Sequence, residues 1–396
     1  MLPFTAVGCH HSGFPDTPAG YREFAYVSNS RANTVSVLDL VYMRPDHTLQ
    51  VGIDPAGMAV NPVKNEVYVV NTGSANGSVS VIDAERNAVV ATIGVHRQPY
   101  AISVDAAGKR AYVANAGSNS VSVIDLESRR EIAVVGTGEK PGLARISNDM
   151  RTLVVTNFGS GSVSVFGVDA PPSEPSSGRR TMEQPLHLRA AFPGCPGATD
   201  AVILPDSSKA FVACSSGHQV MAINLAAAAD SWAAKQNPSL TTDHLLALLD
   251  VGQTPVHLAM KPDGGEVFCS NFASDSVSEI STTTNEVGGT YTIGNKPVHG
   301  VVSADNSTLW VSNFGADSLS LYSIEDGKLE TSIRTGSAPD ALAFSADEHL
   351  LLVADAHSGD VSVIRTQAKQ GPALFTILPA GAGPSAIVVK AISVKH

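Results

Sequence analysis

Residues 111–125 read AYVANAGSNSVSVID. Two short runs, AYVAN and SVSVID, are rich in β-branched and aromatic residues, alternate with period two, and flank a Gly/Ser/Asn turn. That is the pattern of an antiparallel hairpin. The pair recurs down the chain. Its first member returns as AYVSN (25–29), VYVVN (67–71), LVVTN (153–157), AFVAC (210–214), VFCSN (267–271), LWVSN (309–313) and LLVAD (351–355). Its second returns as SVSVID (78–83), SVSVFG (162–167), SVSEIS (276–281) and SLSLYS (318–323), loosening to QVMAIN (219–224). Ahead of each pair stands a third kind of run, opened in most cases by Pro, as in PYAISV (99–104), PVHLAM (255–260), PVHGVV (297–302) and PSAIVV (384–389). A further apolar strand closes each unit.

Four strands in a unit of about 42 residues is the period of a β-propeller blade. Helical solenoids share this period, but no amphipathic helical pattern recurs. There are eight copies of the Pro-led strand and eight of the AYVAN-type strand, so the expectation is one all-β ring of eight blades. Seven blades would require one segment to be something else, and the irregular fourth blade is where that would fall. The chain enters on an AYVAN-type strand and leaves on a Pro-led one. The last strand can therefore join the first three and remove a sheet edge.

Composition agrees. There are 34 Gly, 23 Pro, 43% hydrophobic and only 16% charged residues in 396, as turns and face-packed sheets require. The net charge of −11 argues against nucleic acid, whose phosphates demand a basic partner. No run of 18 apolar residues crosses a membrane. There is no P-loop, H-E-x-x-H, G-x-S-x-G or Rossmann fingerprint, and no C-x-x-C or C-x-x-C-H. The start, MLPFTAVGC (1–9), reads as the end of a lipoprotein signal with Cys9 as the lipidated residue. Residues 10–23 then form a tether and 24–396 the propeller, giving a monomer outside the cytoplasm that touches membrane only through its anchor. There a disulfide is allowed, and Cys195 and Cys214, at one end of blade four, are the candidate pair. Cys269 falls inside a strand, as a buried thiol would.

The strings AYVSN, AYVAN and LVVTN followed by SVSVID resemble the bacterial YVTN-repeat β-propeller family, over residues 24–390. That family includes surface-layer proteins, secreted binding proteins and enzymes, so function must come from departures from the repeat. The Asn ending the second strand is expected to cap its own turn. Two residues after the opening Pro, five blades carry Gly57, Ala101, Leu143, Ala341 and Ala386, whereas blades four, five and six carry Asp200, His257 and His299. These three should lie side by side at the channel mouth, opposite Cys214, Asn271 and Asn313. Phe158, Phe272 and Phe314 follow the turn Asn in blades three, five and six as a candidate aromatic platform.

Two imidazoles and a carboxylate can bind a transition metal or perform acid–base chemistry. His257 and His299 also resemble the paired histidines over haem in the d1 domain of nitrite reductases, which would make haem the cofactor. No proximal His matches, His96 being the nearest, and few Arg stand near the mouth. The main reading is an extracytoplasmic binding propeller that takes a protein, glycan or small ligand on this face. The alternatives are a metal- or haem-dependent enzyme or carrier using Asp200, His257 and His299, and a lactonase- or lyase-like enzyme using one His as base, as some propeller relatives do. Two insertions are expected on the opposite face: a Pro/Ser loop at 171–185 and a segment at 226–238 expected to hold a short helix.

Overall fold

AYVAN forms part of the strand Arg110–Asn115 and SVSVID forms Ser120–Asp125, paired antiparallel from Arg110↔Asp125 to Asn115↔Ser120. The same pairing occurs eight times. The computed structural model describes residues 18–73, 75–169, 184–227 and 235–392. Its 32 strands fall into eight four-stranded antiparallel sheets. Blades one to seven each run from a Pro-led inner strand (Ala-led in blade four) outward, the first over 55–94 and the seventh over 339–379. Blade eight combines the C-terminal strand Pro384–Ile392 with the N-terminal strands Arg22–Asn29, Thr34–Asp39 and Arg44–Gln50. Ring closure by the last strand is thus observed, with eight blades rather than seven.

Second strands such as Thr152–Asn157 are buried along their whole length. A sheet covered on both faces reads as a continuous apolar run, and each blade is sandwiched between two others. Eight hydrophobic clusters fill the interfaces between neighbouring blades. Tyr26, Tyr68 and Tyr112 are fully buried there. Tyr26 and Tyr68 donate their hydroxyls to Asn87 Oδ1 and Glu66 Oε2, both at 2.6 Å, so the rings bury without stranding a polar group.

The turn Asn does more than cap its own turn. In six blades its Nδ2 donates to two hydroxyls of the third strand: Asn313 reaches Ser318 Oγ at 3.3 Å and Ser320 Oγ at 2.8 Å, and Asn157 reaches Ser162 and Ser164 at 3.2 and 3.0 Å. This explains the Ser-Val-Ser repeat. The alternate serines face the amide while Val fills the core. In five of these blades a Gly three residues before the blade's own opening Pro packs on that side chain; a Cβ at Gly294 would stand 2.3 Å from Asn313.

Blade four replaces this clamp covalently. Cys195 takes the place of the Gly and Cys214 that of the Asn, and a disulfide joins them with Cα atoms 4.8 Å apart. The third strand correspondingly has Gln219 and Met221 where the serines stand. Cys269 is unpaired and buried, and burial pushes its thiol pKa up. Residues 171–183 of the first insertion and 228–234 of the expected 226–238 helix lie outside the described residues. Just beyond the latter, the chain forms a short 3-10 helix, Pro238–Thr241, capped by the Asn237 side chain on Ser239 N.

Candidate functional site

All eight inner strands start at the same end of the ring. In blades two, three, five and six the ladder carries a bulge at this point, skipping from the Pro to the residue two further on. A bulge inserts one unpaired residue and re-aims its neighbours. The pairing is therefore one place away from a simple count: His257 lies opposite Ser270 and His299 opposite Ser312, while Asn271 and Asn313 face Pro255 and Pro297. The residue after each Pro is free of the ladder and also turns to the mouth.

Asp200, His257 and His299 do converge. The imidazole rings stack with centroids 3.8 Å apart and planes 31° from parallel. His257 Nε2 is 3.7 Å from Asp200 Oδ2. The carboxylate is held by backbone N–H donors, Leu258 at 3.0 Å and Ala201 at 2.8 Å. Arg145 Nη2 stands 3.8 Å from its other oxygen, and Arg145 Nε donates to the Ala201 carbonyl at 3.3 Å. Gly300 N–H donates to His257 Nδ1 at 3.2 Å. That ring nitrogen is an acceptor, so the proton of neutral His257 sits on Nε2, facing Asp200.

Both rings touch channel space yet are enclosed by protein. Burial, followed by the Arg145 charge, lowers the His257 pKa to about 3. Burial and then the neighbouring His257 hold His299 well below the usual value, against a smaller opposite pull from Asp200. Both are neutral at ordinary pH.

A cavity of about 600 Å³ opens over these residues. Leu143, Phe158, Val256 and Ala101 make its walls mostly apolar, with Asp200, His257, His299 and Lys140 as polar points. Of the aromatic trio only Phe158 lines it. Phe272 lies beneath Lys296 Nζ, 5.7 Å from the ring centroid, and Phe314 meets the His357 ring edge-on at 5.4 Å. The three do not form one platform.

Two mouth residues lay outside the sequence expectation. Tyr100, directly after Pro99, is 60% exposed and lines the cavity. Asp340, directly after Pro339, has its pKa raised to about 6 by burial. Tyr100 is shifted up by partial desolvation within the channel mouth, then by Asp340 and Asp200, so the phenol and the two carboxyls share one field. The signal was one position upstream: at this place the other blades have Ala56, Gly142, Thr199, Val256, Val298 and Ser385.

The trio does not fit a metal site as placed. His257 has its lone pair engaged by Gly300 and its Nε2–H turned to Asp200, and among the described residues no three His, Cys, Asp or Glu side chains are arranged to hold an ion. Nor does the mouth suit a haem with several carboxylates. Asp200 and Asp340 oppose such a group, and Arg145 is already turned onto Asp200.

Similarity to known proteins is a matter of fold. Residues 279–389 match the family model "Lactonase, 7-bladed beta-propeller". The match takes in His299 and Asp340 but not His257 or Asp200. No curated protein matches the chain. Among solved structures, dihydro-heme d1 dehydrogenase NirN, in complex with DHE, superposes with a TM-score of 0.72 at 15% identity, over 95% of this chain and 76% of that one. A candidate 6-phosphogluconolactonase of Bacteroides fragilis gives 0.60 at 16% identity, over 82% and 98%. Another, of Bacteroides uniformis, gives 0.61 at 14%, over 94% and 100%.

Proposed function

We propose that this propeller binds a small organic ligand at the channel mouth over blades two to six, acting as an extracytoplasmic binding protein. The observation that carries this reading is the cavity itself: apolar walls, a stacked pair of neutral imidazoles, and a few polar groups brought together from blades that depart from the repeat. Such a concavity with few convergent polar groups is how small-molecule sites are built. The disulfide of blade four supports a location outside the reducing cytoplasm. Cys9, the proposed lipid attachment point, lies outside the described residues. Calorimetry with a metabolite library tests the reading. Binding that is abolished by Phe158→Ala together with Leu143→Arg supports it. Binding indifferent to both variants refutes it.

A second reading is hydrolysis of a lactone-type ester, favoured by the family match over the stretch that carries His299 and Asp340. Asp340, with a pKa of about 6, is suited to take a proton from water near neutral pH. The hydroxide so formed adds to the lactone carbonyl, the ring C–O bond breaks, and the proton returns to the leaving oxygen. His299, neutral and on the neighbouring blade, would hydrogen-bond the substrate. Asp340→Asn should then abolish turnover on a lactone panel while leaving binding intact; unchanged turnover removes this reading.

A further inference from the structure

Tyr100 and Ala101 line a second hollow at the same end of the ring, of about 340 Å³, over blades eight, one and two. It exists because this arc carries Ala56, Gly57 and Ala386 where the opposite arc carries rings and acids. Gly57 lets the inner strands of blades one and two approach closely here, since a Cβ there would stand 2.7 Å from the Tyr100 carbonyl oxygen.

Apart from the Tyr100 phenol, the polar side chains of this hollow point acceptors into it. Three aliphatic hydroxyls line it, each with protein partners for its hydrogen: Ser30 donates to Gly383 O at 3.0 Å and Thr72 to Pro99 O at 3.1 Å, while Ser385 meets Ser28 Oγ at 3.0 Å and Pro55 O at 3.3 Å. What they offer inward is oxygen lone pairs. Asp54 adds an exposed carboxylate with no ion pair among the described residues. Its backbone is fixed, with its N–H donating to Asn33 Oδ1 at 2.9 Å and its carbonyl accepting from Thr72 N at 3.0 Å. Tyr100 presents an accessible ring between this hollow and the larger cavity.

We propose that this second hollow is the subsite for the primary ammonium end of an elongated ligand whose apolar body occupies the larger cavity. The inference rests on reading the mouth as a ligand site and deepens it. An ammonium carries three N–H donors and no acceptor, which matches a surface of acceptor oxygens. The bond to Asp54 is charge-assisted. The face of Tyr100 adds a cation–π contact. A carboxylate end would instead meet Asp54 and the field of Asp340 and Asp200.

The test is calorimetric titration at pH 7 with three probes sharing one body: 2-phenylethylammonium, 2-phenylethanol and 3-phenylpropanoate. The ammonium should bind at least about tenfold tighter than the other two. Asp54→Asn, a surface substitution, should bring the ammonium to within about threefold of the alcohol and leave the alcohol unchanged, whereas Phe158→Ala should weaken all three together. If the alcohol or the carboxylate binds as tightly as the ammonium, or Asp54→Asn leaves the preference intact, the ammonium subsite is overturned while the mouth stands as a ligand site. If no probe shows saturable binding, both readings fall.

Discussion

Blade seven breaks the amide clamp in a way that makes stability depend on pH. Where six blades place Asn it has Asp355, and where they place the first Ser or Thr of the third strand it has Asp360, directly opposite in the ladder. Asp355 is fully buried. Its Oδ2 accepts from Ser362 N at 3.0 Å and Ser362 Oγ at 2.7 Å, while its Oδ1 has no hydrogen-bond partner. Burial, reinforced by Asp360, drives the Asp355 pKa from 3.8 to about 7 against the opposing Ser362 bonds. Between these limits the folded state holds a proton that the unfolded state has lost, so stability contributed here falls as pH rises and levels off above pH 7. From pH 5 to 7 that is two decades at about 1.4 kcal/mol each, or roughly 3 kcal/mol at most. Asp355→Asn can donate one hydrogen to Ser362 Oγ and another to Asp360, and it removes the carboxyl at 355 that takes up the proton. The advantage of Asp355→Asn over the parent protein in urea unfolding should therefore grow between pH 5 and pH 8, by about 1–3 kcal/mol. Taking the difference between the two proteins cancels the other groups that folding shifts, His257, His299 and Asp340 among them. A variant whose advantage is the same at both pH values, or which is less stable than the parent at pH 8, refutes the reasoning.

His257 and His299 should stay neutral from pH 8 down to pH 5 in nitrogen-detected NMR, with the His257 proton on Nε2. Because both folded pKa values are depressed, their contribution to stability is present above about pH 6.5 and falls as pH drops below it. Reducing Cys195–Cys214, which closes a separation of 19 residues, should cost about 3 kcal/mol, read as a lower thermal midpoint in reductant. Asn313→Ala removes the bonds to Ser318 and Ser320 and should cost about 2 kcal/mol in urea unfolding, with Asn157→Ala costing more because Asn157 Oδ1 also accepts from Thr137 Oγ1 at 2.9 Å. Gly294→Ala drives a Cβ against the Asn313 side chain and should destabilise by about 1–3 kcal/mol.

The blades were legible because each repeats one chemical solution: β-branched residues on both faces of a covered sheet, and Asn with Ser-Val-Ser at its end. Eight copies leave little ambiguity in phase, and the closing strand is dictated by where the chain enters and leaves the cycle. The site was half legible. Asp200, His257 and His299 stand out because they occupy one repeat position, and the fold carries equivalent positions to equivalent places. Asp340 and Tyr100 sit one residue earlier, where a regular ladder would turn them away; only the bulge after the Pro brings both positions to the mouth, and a bulge leaves no mark in residue type here. The disulfide and the Asp355–Asp360 pair belong to one class. Each replaces the Asn clamp, at the position of a Gly or an Asn in blade four and of an Asn and a Ser in blade seven, so comparing copies at every register point, not only at the inner strand, exposes both. The clamps with the greatest chemical departure stand at the same end of the ring as the mouth, in blades four and seven, and these two blades also supply Asp200 and Asp340. Ala198 lies opposite Cys214 and Pro339 opposite Asp355, so each altered clamp sits at the start of the inner strand that carries one of these two acids.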